Sequence, residues 1–514
     1  MLKKIFGRIR RKWDKYEPVP KTGAAAVRKA LPFAIGDGPA SQAMETLASG
    51  PFLVAYALAL GANNLVIGLL AALPFLGNFA QAPAAYLVEK VRKRKKLALV
   101  ISFCCRPLFL IAALLAFFVP NPVLPTLLVL CFAGRYLCGS AATCTWNSWM
   151  RDLLPVKIQG RYYAARLRYM TVAVIACNLL GAFLIDRWNV LWPSRGIYAY
   201  SFLLFLSFCA GMVSIYCMSR VPEPAMAPDE EVELSFARKF IEPFKVPNFR
   251  RLMTFLGVWN FGLNLVAPFF TVVLIRQLGI SLTGVVLLTI LSQLSSFFII
   301  SIWGAIADRF SNKSVLSLAV PVYIFSILLW IFTTWPETHV MTVPLLVLIY
   351  VLIGIATAGV NLAANNIALK LAPRGRAAVY LSANSVVNAV CAGTAPIIGG
   401  TCADFFQDIQ LSLIVQWKTA LESVSFQTLI VSHWDFFFMF AAFIGSFSLL
   451  FLTRVREQGE VKEAVVLQEF LNRTRRSFSN LASFTFLRMK FSEKPPVPPV
   501  QEKAEEEELT GWGS

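Results

Sequence analysis

Apolar blocks as long as a bilayer is thick recur along this chain. Residues 97–119 read LALVISFCCRPLFLIAALLAFFV and residues 341–369 read MTVPLLVLIYVLIGIATAGVNLAANNIAL. A helix needs about 20 mostly apolar residues to cross a hydrocarbon core roughly 30 Å thick. Inside lipid the backbone must satisfy its own hydrogen bonds, which a helix does and an open strand does not. Repeated blocks of this kind over 514 residues restrict the chain to a polytopic helical membrane protein. Only 15% of the residues are charged, against roughly 25% in soluble domains, and the mean hydropathy is +0.62.

The pattern predicts twelve spans, at 31–60, 64–88, 97–119, 123–150, 165–186, 196–217, 252–275, 281–307, 314–334, 341–370, 377–401 and 433–454. They divide into a basic N-terminal segment (1–30), a six-helix bundle (31–217), a polar linker (218–250), a second six-helix bundle (251–455) and a tail (456–514). The N-terminal MLKKIFGRIRRKWDKY lacks the apolar core of a signal peptide. Its apolar residues at helical spacing between Lys and Arg read either as a helix lying on an anionic membrane surface or as a disordered basic tail that only fixes orientation. The tail combines another surface helix (461–490) with a Pro-rich, then acidic end, PPVPPVQEKAEEEE, that reads as disordered.

Basic residues fall almost wholly on one set of connections: the N-terminus, the run KVRKRKK at 90–96, the cluster from Arg151 to Arg168, the linker and the tail. The opposite set carries little more than Arg187, Arg195, Arg276 and Lys418. This asymmetry predicts both termini in the cytoplasm, most simply across a bacterial inner membrane. It also explains the net charge of +19 without nucleic acid. An even number of spans requires the first block to cross, although GDGPASQAMETLASG at 36–50 holds Asp37 and Glu45.

The two halves repeat each other in the same order. Glu89-Lys90 after the second span corresponds to Asp308-Arg309 after the eighth. DLLPVKIQGR (152–161) corresponds to KLAPRGR (370–376), and GAFLID (181–186) to GGTCAD (399–404). Parallel six-span repeats place a binding site between two bundles near the midplane. The loop after the eighth span has Gly304, Asp308, Arg309 and Lys313 in the spacing Gly-x-x-x-Asp-Arg-x-Gly-Arg-Arg, with Ser311 at the central Gly. The first copy is degenerate, with Ala85, Glu89, Lys90 and Arg92. Arg135, Gly139 and Ala142 fit Arg-x-x-x-Gly-x-x-Ala in the fourth span.

On these residues the chain resembles the major facilitator superfamily (MFS) of secondary transporters over about residues 31–455. The resemblance implies an all-α membrane protein of twelve transmembrane helices, arranged as two parallel-repeat six-helix bundles. It also implies alternating access, with Glu89, Lys90, Gly304, Asp308 and Arg309 as cytoplasmic gating loops and Gly304 allowing close helix approach. The family's drug/proton antiporter branch has Gly-Pro in the fifth span; here 165–186 has no proline, and PIIGG occurs in the eleventh span at 396–400.

Glu45 lies about 21 Å along its helix from residue 31, whereas Asp37 lies only about 9 Å in, near the cytoplasmic mouth. Gly38, Gln42, Glu45 and Ser49 form one small and polar stripe. Intramembrane acids face bundle interiors and mark proton or substrate paths; a salt bridge that merely locks two helices is the other reading. Arg135, roughly 18 Å into its own span, matches the depth of Glu45, and a nearby cation would tune its proton affinity. Glu45, Arg135 and Asp37 are therefore the proton-coupling candidates.

Gln42, Asn147, Trp259, Asn260, Asn264, Gln293, Asn361 and Asn365 are candidates to line a cavity for a small organic solute, although such amides also link transmembrane helices. The two histidines, His339 and His433, lie far apart, and no metal cluster, phosphate loop or nucleophile elbow is present. The expectation is thus a monomeric, proton-coupled transporter in the lipid bilayer, not an enzyme, with no cofactor or metal. Uncoupled facilitation and a non-transporting sensor or scaffold are the alternatives.

Overall fold

The computed structural model describes residues 24–118, 123–154, 156–224, 242–334, 340–373, 377–406, 409–418, 423–432, 434–457 and 463–482. The basic segment before residue 24, the centre of the linker, both histidines and the end of the tail lie outside them.

Each expected span is present. Eleven helical segments are long and apolar enough to cross a membrane. The twelfth is the first, built from α1 (Ala24–Leu47) and α2 (Gly50–Ala59) in series. Its break has a local cause: Gly50 takes φ +56°, and Pro51 follows in the first turn of α2. Proline suits a helix start, where its missing N–H costs nothing. Glu45 sits in the turn just before the break, its carbonyl accepting from Ala48 N at 3.2 Å.

The second span is α3 (Asn64–Gly77) continued by α4 (Gln81–Val91). Arg92, which stands at the family's central glycine, ends α4 at φ +52°. The left-handed region costs a side chain about 1–2 kcal/mol. The third span is broken like the first: α5 (Arg94–Cys105) gives way to α6 (Pro107–Leu114) at Arg106, because Pro107 has no N–H to continue the ladder.

The first half is completed by α7 (Val123–Leu153), α8 (Val156–Leu191) and α9 (Ile197–Ser219). The second consists of α10 (Pro247–Val272), α11 (Leu282–Arg309), α12 (Asn312–Leu329), α13 (Thr342–Leu371), α14 (Ala377–Phe405) and α15 (Trp434–Arg454). The fifth span begins well before the expected residue 165. An antiparallel hairpin that the hydropathy pattern did not announce, β1 (Gln410–Lys418) and β2 (Ser423–Ser432), joins the last two spans.

The halves meet most closely where α3 crosses α14. A Cβ on Gly68 would lie 2.1 Å from the Pro396 carbonyl oxygen, and one on Gly400 would lie 2.5 Å from that of Asn64. The PIIGG run is therefore a helix-crossing surface. Small residues let backbones approach in lipid, where dispersion rather than the hydrophobic effect drives helix association. Gly304 does not serve this purpose: its Cβ would meet only Leu362 Cδ2 at 4.0 Å. Close approach in the second half falls instead on Gly354, whose Cβ would lie 2.2 Å from the Ser292 carbonyl oxygen.

The surface helix expected in the tail is α16 (Glu463–Ala482), and it is docked on the ends of α11 and α12. Val466 is fully buried, Phe470 stacks on Trp303 at 4.5 Å, and Arg309 donates to Glu469 at 2.6 Å.

Candidate functional site

A polar cavity of about 450 Å³ opens among α1, α5, α7, α8 and α9, all in the first half. Asp37, Glu45, Arg106, Arg135 and Arg166 are its charged lining. Glu45 and Arg135 form an ion pair. The Arg135 guanidinium also lies over the Tyr136 ring, 4.2 Å from its centroid, and that of Phe109, 5.4 Å away. Such stacking is most favourable when the cation is desolvated, and Arg135 is only 6% exposed. Glu45 is the more open partner, with its side chain 35% exposed. It also lines a second cavity of about 540 Å³ between the halves, facing Thr289, Ser292 and Gln293 across from Tyr136.

Asp37 is buried, not at a wet mouth. The helix begins at residue 24 instead of 31, which moves Asp37 to about 20 Å from its start. It accepts from Arg166 at 2.8 Å and from Ser214 Oγ at 2.7 Å. Arg166 lies 4.0 Å from the Trp146 ring centroid. A Cβ on Gly38 would fall 2.8 Å from the Arg166 side chain, so this glycine makes the room that the arginine occupies.

Gln42 and Asn147 line the first cavity, and Gln293 lines the second. The other expected polar residues are engaged elsewhere. Trp259 is buried edge-on against Tyr323. Asn260 donates to Leu256 O at 2.8 Å and to Asn388 Oδ1 at 3.3 Å, and Asn264 donates to Asn260 O. Asn361 and Asn365 are exposed on α13, where Asn365 donates to the Asn361 carbonyl.

The loop residues do not bridge the halves. Glu89, Lys90 and Asp308 are exposed. Arg309 ties down α16, and Arg94, just after the corresponding loop of the first half, ties down the start of the linker. Its backbone N–H donates to Glu223, and its guanidinium donates to Asp152 and, at 3.0 Å, to Pro224 O. Burial pushes the Glu223 carboxyl above its ordinary range, against the opposing pull of Arg94 and Lys95.

At the end of the molecule away from the start of α1 and from α16 the halves are stitched together by two matching carboxylates. Asp404, ending α14, accepts from Asn64 N at 3.4 Å, Asn64 Nδ2 at 2.8 Å and Leu65 N at 3.2 Å. Asp186, near the end of α8, accepts from Leu282 N at 3.2 Å and Thr283 N at 2.8 Å. Each acid thus caps the N-terminus of a helix in the other half, where free N–H groups and the helix dipole favour negative charge. Arg276 adds a bond to the Ala62 carbonyl at 3.1 Å. The two acids are the equivalent residues of GAFLID and GGTCAD, so the repeat appears in space as a two-fold pair of latches.

The family's sequence profile, described as Major Facilitator Superfamily, matches residues 40–396 and again 260–488. The chain belongs to the Major Facilitator Superfamily. No curated protein matches it in sequence. Among solved structures it is similar to a mutant form of the nucleoside transporter NupG, with TM-score 0.61 and 14% identity over 83% of this chain and 100% of that one. It is also similar to a POT family transporter in complex with a thioalcohol-conjugated peptide, with TM-score 0.56 and 12% identity over 84% and 96%. A bacterial homologue of the human lysosomal transporter Spinster, inward-facing and unoccupied, has TM-score 0.54 and 16% identity over 75% and 84%. At these identities the likeness is one of fold. Membership makes this an integral membrane transporter rather than an enzyme, with a small-molecule substrate. Among the described residues, no group of three or more His, Cys, Asp or Glu side chains is placed to hold a metal ion.

Proposed function

We propose that this chain is a proton-coupled secondary transporter of a small organic solute, working as a monomer by alternating access. In this reading both termini are cytoplasmic and the membrane is a bacterial inner membrane, as the basic loops suggest. The observation that carries the coupling is the Glu45–Arg135 pair at a helix break: both residues line the cavity of the first half, and Glu45 also lines the cavity between the halves. A carboxylate paired to a guanidinium favours its charged form; separation from that cation in a desolvated wall favours protonation. Any movement that loosens the pair therefore takes up a proton, and re-pairing releases it.

The two aspartate latches support the alternating part. They close the outer end on the proposed orientation, whereas Gly139, toward the other end, has open space before it. On that orientation, a sealed outer end corresponds to an inward-facing state. Rocking must break both caps and close the cytoplasmic end, where Glu89, Lys90, Asp308 and Arg309 stand at the loops as candidate gating residues.

The test is transport in proteoliposomes. Glu45→Gln should lose accumulation driven by a pH gradient while retaining solute exchange, since exchange needs the cavity but no net proton movement. Undiminished gradient-driven accumulation by Glu45→Gln would refute the coupling and leave uncoupled facilitation or another coupling residue.

A further inference from the structure

The charges lining the first cavity do not balance. Three guanidiniums, Arg106, Arg135 and Arg166, face two carboxylates, Asp37 and Glu45, which leaves a net charge of +1. Both carboxylates are already committed, Asp37 to Arg166 and Glu45 to Arg135. Arg106 is the cation left over. It is 6% exposed, and its hydrogen bond is to Cys105 Sγ at 3.9 Å, a weak acceptor. Its Nε has no partner among the described residues. Asp37 lies near enough to feel its charge but makes no ion pair with it within 4.0 Å.

The fold goes to some length to hold Arg106 there. Pro107 breaks the third span at this residue, so Arg106 sits at a helix junction. A Cβ on Gly211 would lie 2.7 Å from Arg106 Cδ and 2.9 Å from its Nε, so α9 leaves out a side chain where the arginine lies. Ser102, one turn earlier, also lines the cavity. A buried, uncompensated cation is strongly destabilising, and a helix in lipid gains nothing from one. Its natural complement is a negative charge that comes and goes.

We infer that Arg106 is the anion-binding residue of this cavity, and that the transported solute carries a carboxylate or phosphate that neutralises it. A guanidinium presents its donors in a fork that matches either oxyanion. The remaining wall fits an organic body: hydroxyls of Ser41, Ser140 and Thr143 and amides of Gln42 and Asn147 supply hydrogen bonds beside the Trp146 ring. A volume of about 450 Å³ lies within the range of small-molecule sites. The inference rests on the transporter reading for its purpose, but not on proton coupling.

The test uses the purified full-length chain in detergent, with thermal unfolding as the readout and no gradient. In anion-poor buffer Arg106→Gln should melt higher than wild type, because it removes an unpaired buried charge; a merely structural arginine would leave the variant melting lower. Millimolar succinate or inorganic phosphate should raise the wild-type midpoint saturably, by several degrees. The neutral analogue succinamide should not raise it. Arg106→Gln should lose the anion-dependent rise, and Arg106→Lys, which keeps the charge, should retain part of it. A larger rise with succinate assigns a carboxylate, and a larger rise with phosphate assigns a phosphate ester. A wild type unmoved by both anions, or a full rise surviving in Arg106→Gln, would overturn the assignment. Loss of gradient-driven transport in Glu45→Gln bears on the coupling and leaves this result untouched.

Discussion

Removing the two aspartate latches should move the transporter out of the state described here. Asp186 and Asp404 each cap a helix of the opposite half. Loss of an N-cap side chain costs about 1 kcal/mol, and loss of a carboxylate from a helix N-terminus about 0.3–1 kcal/mol more. Each Asp→Ala change should therefore weaken the far-end seal by roughly 1.5 kcal/mol, and the pair by roughly 3 kcal/mol. The two latches share no partner, so their effects should nearly add.

At about 1.4 kcal/mol per tenfold, the double variant shifts the balance between the closed and open far end by on the order of a hundredfold. Spin labels in a cysteine-free background at Arg195 and Ile409, exposed positions on opposite halves at that end, would report it by pulsed dipolar spectroscopy. The expected result is a short distance in the parent, a mixture in each single variant, and a dominant longer distance in Asp186→Ala/Asp404→Ala. An unchanged distribution in the double variant would show that the carboxylates cap helices without governing the seal, and would refute the reasoning.

The same seal should respond to bulk. Gly68→Ala places a methyl 2.1 Å from a backbone oxygen, and overpacking of this kind costs about 1–3 kcal/mol. The same labels should report opening of the far end, whereas Gly304→Ala, with room for its methyl, should leave the distances alone. The tail helix should be acid-sensitive. Arg473 and Arg309 hold the Glu469 carboxyl below its ordinary value of 4.5. Its contribution to docking is therefore fully present above pH 4.5 and is lost as pH falls through the depressed value. Fluorine NMR of fluorophenylalanine at Phe470, which stacks on Trp303, should show a ring-shifted resonance that moves to its solvent position on acidification. The same move should occur partly in Glu469→Gln at neutral pH, and a resonance indifferent to both would refute the electrostatic docking.

Much of this molecule is readable from residue order because the bilayer imposes few solutions. Span length, loop charge and the internal repeat lead directly to twelve helices in two bundles. Rise per residue alone puts Glu45 and Arg135 at matching depths, and the two are in contact. Asp37 is buried rather than at a wet mouth because Arg166 on α8 and Ser214 on α9 close over it, which rise per residue along one helix does not reveal. In the sequence Arg166 groups with the loop charges, because α8 extends below its apolar part.

Arg106 has a signal, a lone arginine before proline in an otherwise apolar block, but its importance lies in a charge balance over four spans. The matching ends of GAFLID and GGTCAD were visible as a repeat. Their role was not, because each acid's partner is a backbone amide in the other half. Trp259, Asn361 and Asn365 show the remaining gap: residue type and depth do not fix which way a helix faces.

The central claim is that a proton moves with the solute through Glu45, and proton movement can be measured directly. Proteoliposomes loaded with a pH-sensitive dye, without an imposed pH gradient, would be given a gradient of transported solute. The account predicts a change in internal pH with the wild type that is abolished by Glu45→Gln, while solute exchange persists. Solute flux with no pH change in the wild type, or an undiminished pH change in Glu45→Gln, would contradict it.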